Sequence, residues 1–243
     1  MGVYNPQTMS SPITQPSVAI NSVMKLVYVW MSLGMLATAG VAWFTATNDA
    51  LAALRTSPVV MILSLVVLFG SVIALSVGMT RNWLTPNLAA FLFFVFAGIN
   101  GFTLSLTLQY FVENEPGALT SAFGTTTILF GTMSIFGFTT RMDLTKLGTY
   151  LFMGLIGLVI AMVFNWFIGS SALAFLISFI GVVIFTGLTA YDTQKIKEMS
   201  MSPQLQGDGN LVLKFSILGA LTLYLDFLNL FLFLLQLFGG SRD

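Results

Sequence analysis

The chain contains no histidine and no cysteine. Zinc and haem sites of the usual kind, disulfides, thiol nucleophiles and every histidine-based triad are therefore excluded together. Charge is scarce as well, with nine basic and nine acidic residues among 243 and no net charge. A soluble domain carries about a quarter charged residues, so composition excludes a cytosolic enzyme. Nine basic residues also cannot build the positive face that nucleic acid requires. Any chemistry must run on Asp, Glu, Arg, Lys, Tyr, Ser or Thr.

What the sequence has instead is apolar length. Seven stretches with at most one charge each, 26–46, 58–79, 88–112, 118–138, 147–168, 171–191 and 215–238, are long enough to cross a bilayer. In hydrocarbon the backbone must satisfy itself, so each stretch is predicted to be a helix. Pro58, Pro86 and Pro116 stand at or just before three of the starts, where a helix tolerates proline. Ser57 and Thr85 are the matching N-cap candidates. The fold class is thus an all-α integral membrane protein, a seven-transmembrane-helix bundle over 26–238. Residues 1–25 read as a disordered cytoplasmic tail and 239–243 as a short external one. The tail has neither the basic n-region nor the short h-region of a cleaved signal, so the first span is expected to stay as an anchor.

Basic residues set the orientation. Lys25, Arg81, Arg141, Lys146, Lys195, Lys197 and Lys214 fall on one side, and only Arg55 and Arg242 on the other. The positive-inside rule then places the N-terminus in the cytoplasm and the C-terminus outside it. Small residues recur at helical spacing, namely Gly70, Ala74 and Gly78, then Ala97, Gly101 and Ser105, then Gly124 and Gly131. Such rows are expected to be packing seams.

The informative residue is Asp226, which falls near the midplane of span seven, about 17 Å from its start at 1.5 Å per residue. A lone acid there costs at least ~2.5 kcal/mol on insertion scales, so it must face the interior and find a partner. Gly219, Thr222, Asp226, Asn229 and Gln236 form one small-and-polar stripe. A second acid, Asp192, closes span six after Thr189 and Tyr191 and precedes Lys195 and Lys197. Straight-helix arithmetic leaves Asp192 near the surface and Asp226 deep, so the two meet only if span seven starts later, near Gly219, or span six runs deeper and tilts.

The segments 185–197 (FTGLTAYDTQKIK), 216–235 (SILGALTLYLDFLNLFLFLL) and 133–148 (MSIFGFTTRMDLTKLG) resemble the Bax inhibitor family, close to its proteobacterial inner-membrane branch. The resemblance extends over all seven spans. It implies a seven-helix bundle in which the aspartates of spans six and seven share a proton or hydrogen bonds at the cytoplasmic mouth of a closed pore. It also implies a pH-sensitive calcium leak. The pore and pH-sensing residues would be Asp192 and Asp226, with Arg81 as a basic latch, and both aspartates would ligate the cation. Thr189, Tyr191, Thr222 and Asn229 would supply supporting polar groups. No cofactor is expected beyond transient Ca²⁺, a hard ion that takes oxygen ligands.

Two other function classes compete. A non-transporting interaction protein would bind and restrain another membrane protein, such as a membrane protease. An intramembrane aspartyl protease would use the two carboxylates as acid and base. The glycine-rich lead of such proteases is missing here, since Tyr224 and Leu225 precede Asp226, so no enzyme activity is expected.

Overall fold

The computed structural model describes residues 16–80, 83–205 and 208–240. Every span forms a helix, in the order α1 (Pro16–Thr47), α2 (Asp49–Arg55), α3 (Pro58–Thr80), α4 (Pro86–Asn114), α5 (Pro116–Thr139), α6 (Thr145–Ile168), α7 (Ser171–Ser200) and α8 (Gly209–Gly239). Seven of these are long and apolar enough to cross a membrane. The eighth, α2, is a short helix that hydropathy does not predict. Asn48 caps it by accepting the Leu51 N–H, and its last residue, Arg55, reaches Ser105 Oγ at 3.0 Å and Gln109 Oε1 on α4. Gln109 in turn donates to Glu113 at 2.7 Å.

The helix starts follow local chemistry. Thr85 caps α4 through Leu88 N, Ser170 caps α7 through Leu173 N, and Asp208 caps α8 through Asn210 N and Leu211 N. Before α3, Ser57 contributes its backbone carbonyl to Met61 N–H. Gly169, at φ 68°, ends α6 in the left-handed region that favours glycine. In the exposed turn before α6, hydrogen bonds from Thr145 hold the Asp143 carboxyl below its ordinary range.

Three helices are longer than hydropathy predicts. α1 begins at Pro16, so residues 16–25 are helical and not tail, with proline at the first helical position where its missing N–H costs nothing. Residues 1–15 lie outside those described. α7 continues to Ser200 and α8 begins at Gly209, so the long loop expected over 192–214 shrinks to 201–208. Lys214, expected in that loop, is buried in α8. The physical reason is that a helix need not stop at the hydrocarbon boundary while its face still buries side chains. Thr189, Thr193, Ile196 and Ser200 continue one buried face past the last apolar run.

α8 is the axis of the bundle. Its apolar stretch is 67% buried inside the protein, against 6% for α6, and α1, α4, α5 and α7 pack around it. Tyr224 anchors this centre. Thr38 Oγ1 lies 2.9 Å from Ala97 O and 3.0 Å from Gly34 O, which engage its proton, so at 2.7 Å it accepts from the Tyr224 hydroxyl. One hydroxyl thereby joins α1, α4 and α8, and Phe93 and Phe96 meet the Tyr224 ring edge-on.

The small-residue rows are seams only in part. Gly101 packs against α1, where an added Cβ would lie 2.4 Å from Thr38 O. Gly70, Gly124 and Gly131 face open space. On α3 the buried positions are Ser64, Ser71, Leu75 and Gly78, so of the expected row only Gly78 is buried, and Ser71 and Leu75 take the places of Gly70 and Ala74.

Candidate functional site

The packing register of α7 on α8 decides whether the two aspartates meet. Ile196 lies beside Gly219, Phe233 fills the space at Gly181, and Ser178 Oγ donates to Gln236 Oε1 at 2.8 Å. These pairs run antiparallel and set Asp226 about level with Thr189, within one helical turn, ~5 Å, of Asp192. The straight-helix separation of the two therefore does not hold. It assumed that span seven starts level with the end of span six, whereas both helices run on beyond the apolar runs before the chain turns.

Asp192 and Asp226 share a cavity of about 790 Å³ lined by α6, α7 and α8. Their carboxyls lie within hydrogen-bonding and Coulombic range of each other. Asp226 is 4% exposed, and its Oδ2 has no other hydrogen-bond partner among the described residues. Ionised carboxylates only accept, so two of them cannot satisfy each other without a proton or a cation between them. Asp192 is half-buried, with Lys195 one turn further along α7 within Coulombic range.

The supporting residues divide. Tyr191 lines the cavity, its ring held against α6 where a Cβ at Gly148 would lie 2.4 Å away, and Lys195 Nζ sits 5.6 Å from its centroid. Thr222 and Asn229 also line the cavity; Thr222 Oγ1 donates to Leu218 O, and Asn229 Nδ2 to Leu225 O, which leaves the Asn229 carbonyl oxygen for a ligand. Thr189 does not line the cavity. It is fully buried on another face of α7 and donates to Phe185 O at 2.8 Å. The polar stripe of α8 likewise splits, with Gly219 against Val27 and Ile196, and Gln236 bonded to Ser178. Arg81 lies outside the described residues.

Three contributors carried no signal as site residues in the sequence. Gln194 donates to Met142 O at 2.7 Å and accepts Leu144 N–H at 2.9 Å, fastening the α5–α6 connection to α7. Lys197, read only as positive-inside charge, donates to Phe138 O at 2.7 Å across the same junction. Gly137 lets α5 approach α7 so closely that a Cβ would stand 2.2 Å from Ala190 O, two residues before Asp192. Gln194 and Lys197, three residues apart, share one face of α7, turned toward that junction and away from the Asp192 face.

Among the described residues no three Asp, Glu, His or Cys side chains gather into a metal-binding group. A cation at the pair would rest on two carboxylates, with the Thr222 hydroxyl, the Asn229 carbonyl and water completing its oxygen shell. That donor set suits weak, reversible binding of a hard ion.

Comparison with known proteins bears on this site. A family model described as "Inhibitor of apoptosis-promoting Bax1" matches residues 20–243. An inner membrane protein of Escherichia coli, YbhL, is 42% identical over 233 residues, covering 96% of this chain and 97% of that protein. A Borreliella burgdorferi protein is 40% identical over 92% of this chain and 94% of its own length. One from Deinococcus radiodurans is 41% identical over 92% of each.

Proposed function

The chain belongs to the Bax inhibitor family and is a multi-pass inner-membrane protein, and from that premise we propose that it is a pH-sensitive leak pathway for calcium with Asp192 and Asp226 as its cation-binding pair. The supporting observation is the buried Asp226 carboxyl, with an oxygen unpartnered among the described residues, beside Asp192 on one cavity. A bundle that needed only a structural polar contact would satisfy both oxygens, because an orphaned buried acceptor costs about 1–3 kcal/mol, and more when charged. Calcium is the substrate here, held weakly enough to leave again.

The pH sensitivity follows from the shared space. A proton between the carboxyls makes a hydrogen bond and removes one ligand charge; its loss leaves two acceptors that a cation can bridge. Calcium flux through purified protein in liposomes is expected to titrate across neutral pH, and Asp192→Asn, which removes the coupling, to flatten the profile. Identical profiles for both proteins would sink the coupled-pair reading.

The topology we propose has the N-terminus in the cytoplasm, on the strength of the seven-to-two basic bias. Alkaline phosphatase fused after Asp243 should be active, as in the periplasm, and green fluorescent protein fused there dark. The reverse pattern would invert the membrane sides of the whole site.

A further inference from the structure

The cavity around the aspartates has more room and more apolar wall than a metal ion needs. On α6 it is bounded by Phe152, Leu158 and Met162, and beyond the carboxylates by Leu225 and Phe233 of α8. Hundreds of cubic ångströms lined by hydrocarbon, with a few fixed polar groups, is the composition of a pocket for an organic molecule. A calcium ion asks for six to eight oxygens and gains nothing from these side chains. Phe152 and Met162 are also exposed at the outside of the bundle, so this wall borders the lipid.

Charge selects the ligand. Asp226, nine-tenths buried or more, lines the cavity and carries an oxygen with no hydrogen-bond partner among the described residues, and Asp192 adds further acceptors beside it. Both can only accept from an occupant that donates, and an ammonium group donates three hydrogens. At the cytoplasmic rim the Lys195 amine already stands over the Tyr191 ring, an aromatic face that receives alkylammonium groups.

We infer that this cavity binds a lipophilic organic amine, its ammonium on Asp226 and Asp192 and its alkyl body between α6 and α8. The inference rests on the reading of the aspartates as a cation site and extends it to a second class of cation that arrives through the bilayer. Amine and calcium then compete for the same oxygens.

The test is binding of radiolabelled decylamine to the purified full-length protein in detergent, with decanol as the uncharged match in length. Binding should saturate, yield to Ca²⁺ and not to decanol, and weaken about tenfold or more in Asp226→Asn, in line with loss of one close charge contact. Met162→Trp, which narrows the apolar wall and leaves both carboxylates in place, should weaken it several-fold. Non-saturable uptake, equal uptake by Asp226→Asn in a folded state, equal competition by decanol, or an unchanged affinity in Met162→Trp would each overturn the inference. Calcium flux without saturable amine binding removes the amine site and leaves the leak. Amine binding that depends on Asp226, in a protein that passes no calcium, removes the leak and leaves the site.

Discussion

Asp226→Asn is expected to reduce calcium flux in liposomes at least tenfold while the protein still extracts, elutes and unfolds like the wild type. Asparagine keeps the size and an acceptor oxygen, and it adds an amide that can donate to Asp192, so the α7–α8 contact is preserved or tightened. What disappears is one formal charge at the cation position. A unit charge about 4 Å from an ion, at an effective dielectric of about 20, is worth ~4 kcal/mol. A third of that already changes binding tenfold. Removal of Asp192 leaves the deeper charge in place and should cost less flux. Unchanged flux in a folded Asp226→Asn protein would reduce the carboxylate to a structural element.

The second large effect is expected at Gly137. A methyl added there would stand 2.2 Å from the Ala190 carbonyl oxygen and 2.9 Å from its carbon, both backbone atoms that cannot rotate aside. α5 and α7 would have to separate along a contact that also includes the Lys197–Phe138 and Gln194–Met142 hydrogen bonds. Between helices in lipid, close van der Waals approach is itself the driving force, so separation loses what holds the pair. Gly137→Ala should destabilise the bundle in a thermal unfolding assay by about 1–3 kcal/mol, the usual range for overpacking. Gly137→Leu should fail to accumulate in the membrane. Gly131→Ala is the internal control: nothing lies within 4 Å of its added methyl, so the helix gains about 0.5–1 kcal/mol of propensity or stays unchanged. Equal behaviour of the two alanine variants would show that the close approach at Gly137 carries no energy.

That contrast also marks how far the sequence could be read. Gly124 and Gly131 stand out as a heptad row, yet they face open space, and the glycine that works is Gly137, one residue out of phase with that row. Spacing alone cannot tell a seam from a lipid-facing row, because both surfaces are apolar and only the neighbour's position differs. The seven spans were legible because hydrocarbon forces helix on any long uncharged run. Their ends were less so, because charge marks the edge of the hydrocarbon and not the end of the helix, as Lys195, Lys197 and Lys214 illustrate. Asp226 announced itself by its cost in lipid. Its contact with Asp192 did not, since that depends on a register set by Gly219 against Ile196 and Gly181 against Phe233. Tyr224 read as no more than the residue before the motif, although its hydroxyl closes the α1–α4–α8 junction.

The central position of α8 has a consequence for how the protein is made. The ribosome delivers this helix after the six long helices that surround or flank it. Until then Thr38 lacks the Tyr224 hydroxyl, Ser178 lacks the Gln236 amide oxygen, and Asp192 looks into a gap. The early helices therefore wait in the membrane as a loose, open ring whose inner polar groups lack their α8 partners, and the structure closes only when α8 arrives. A translation product that stops short of Gly209 would expose that interior to lipid, the kind of unsatisfied polar surface by which membrane quality control distinguishes an orphan from a finished protein.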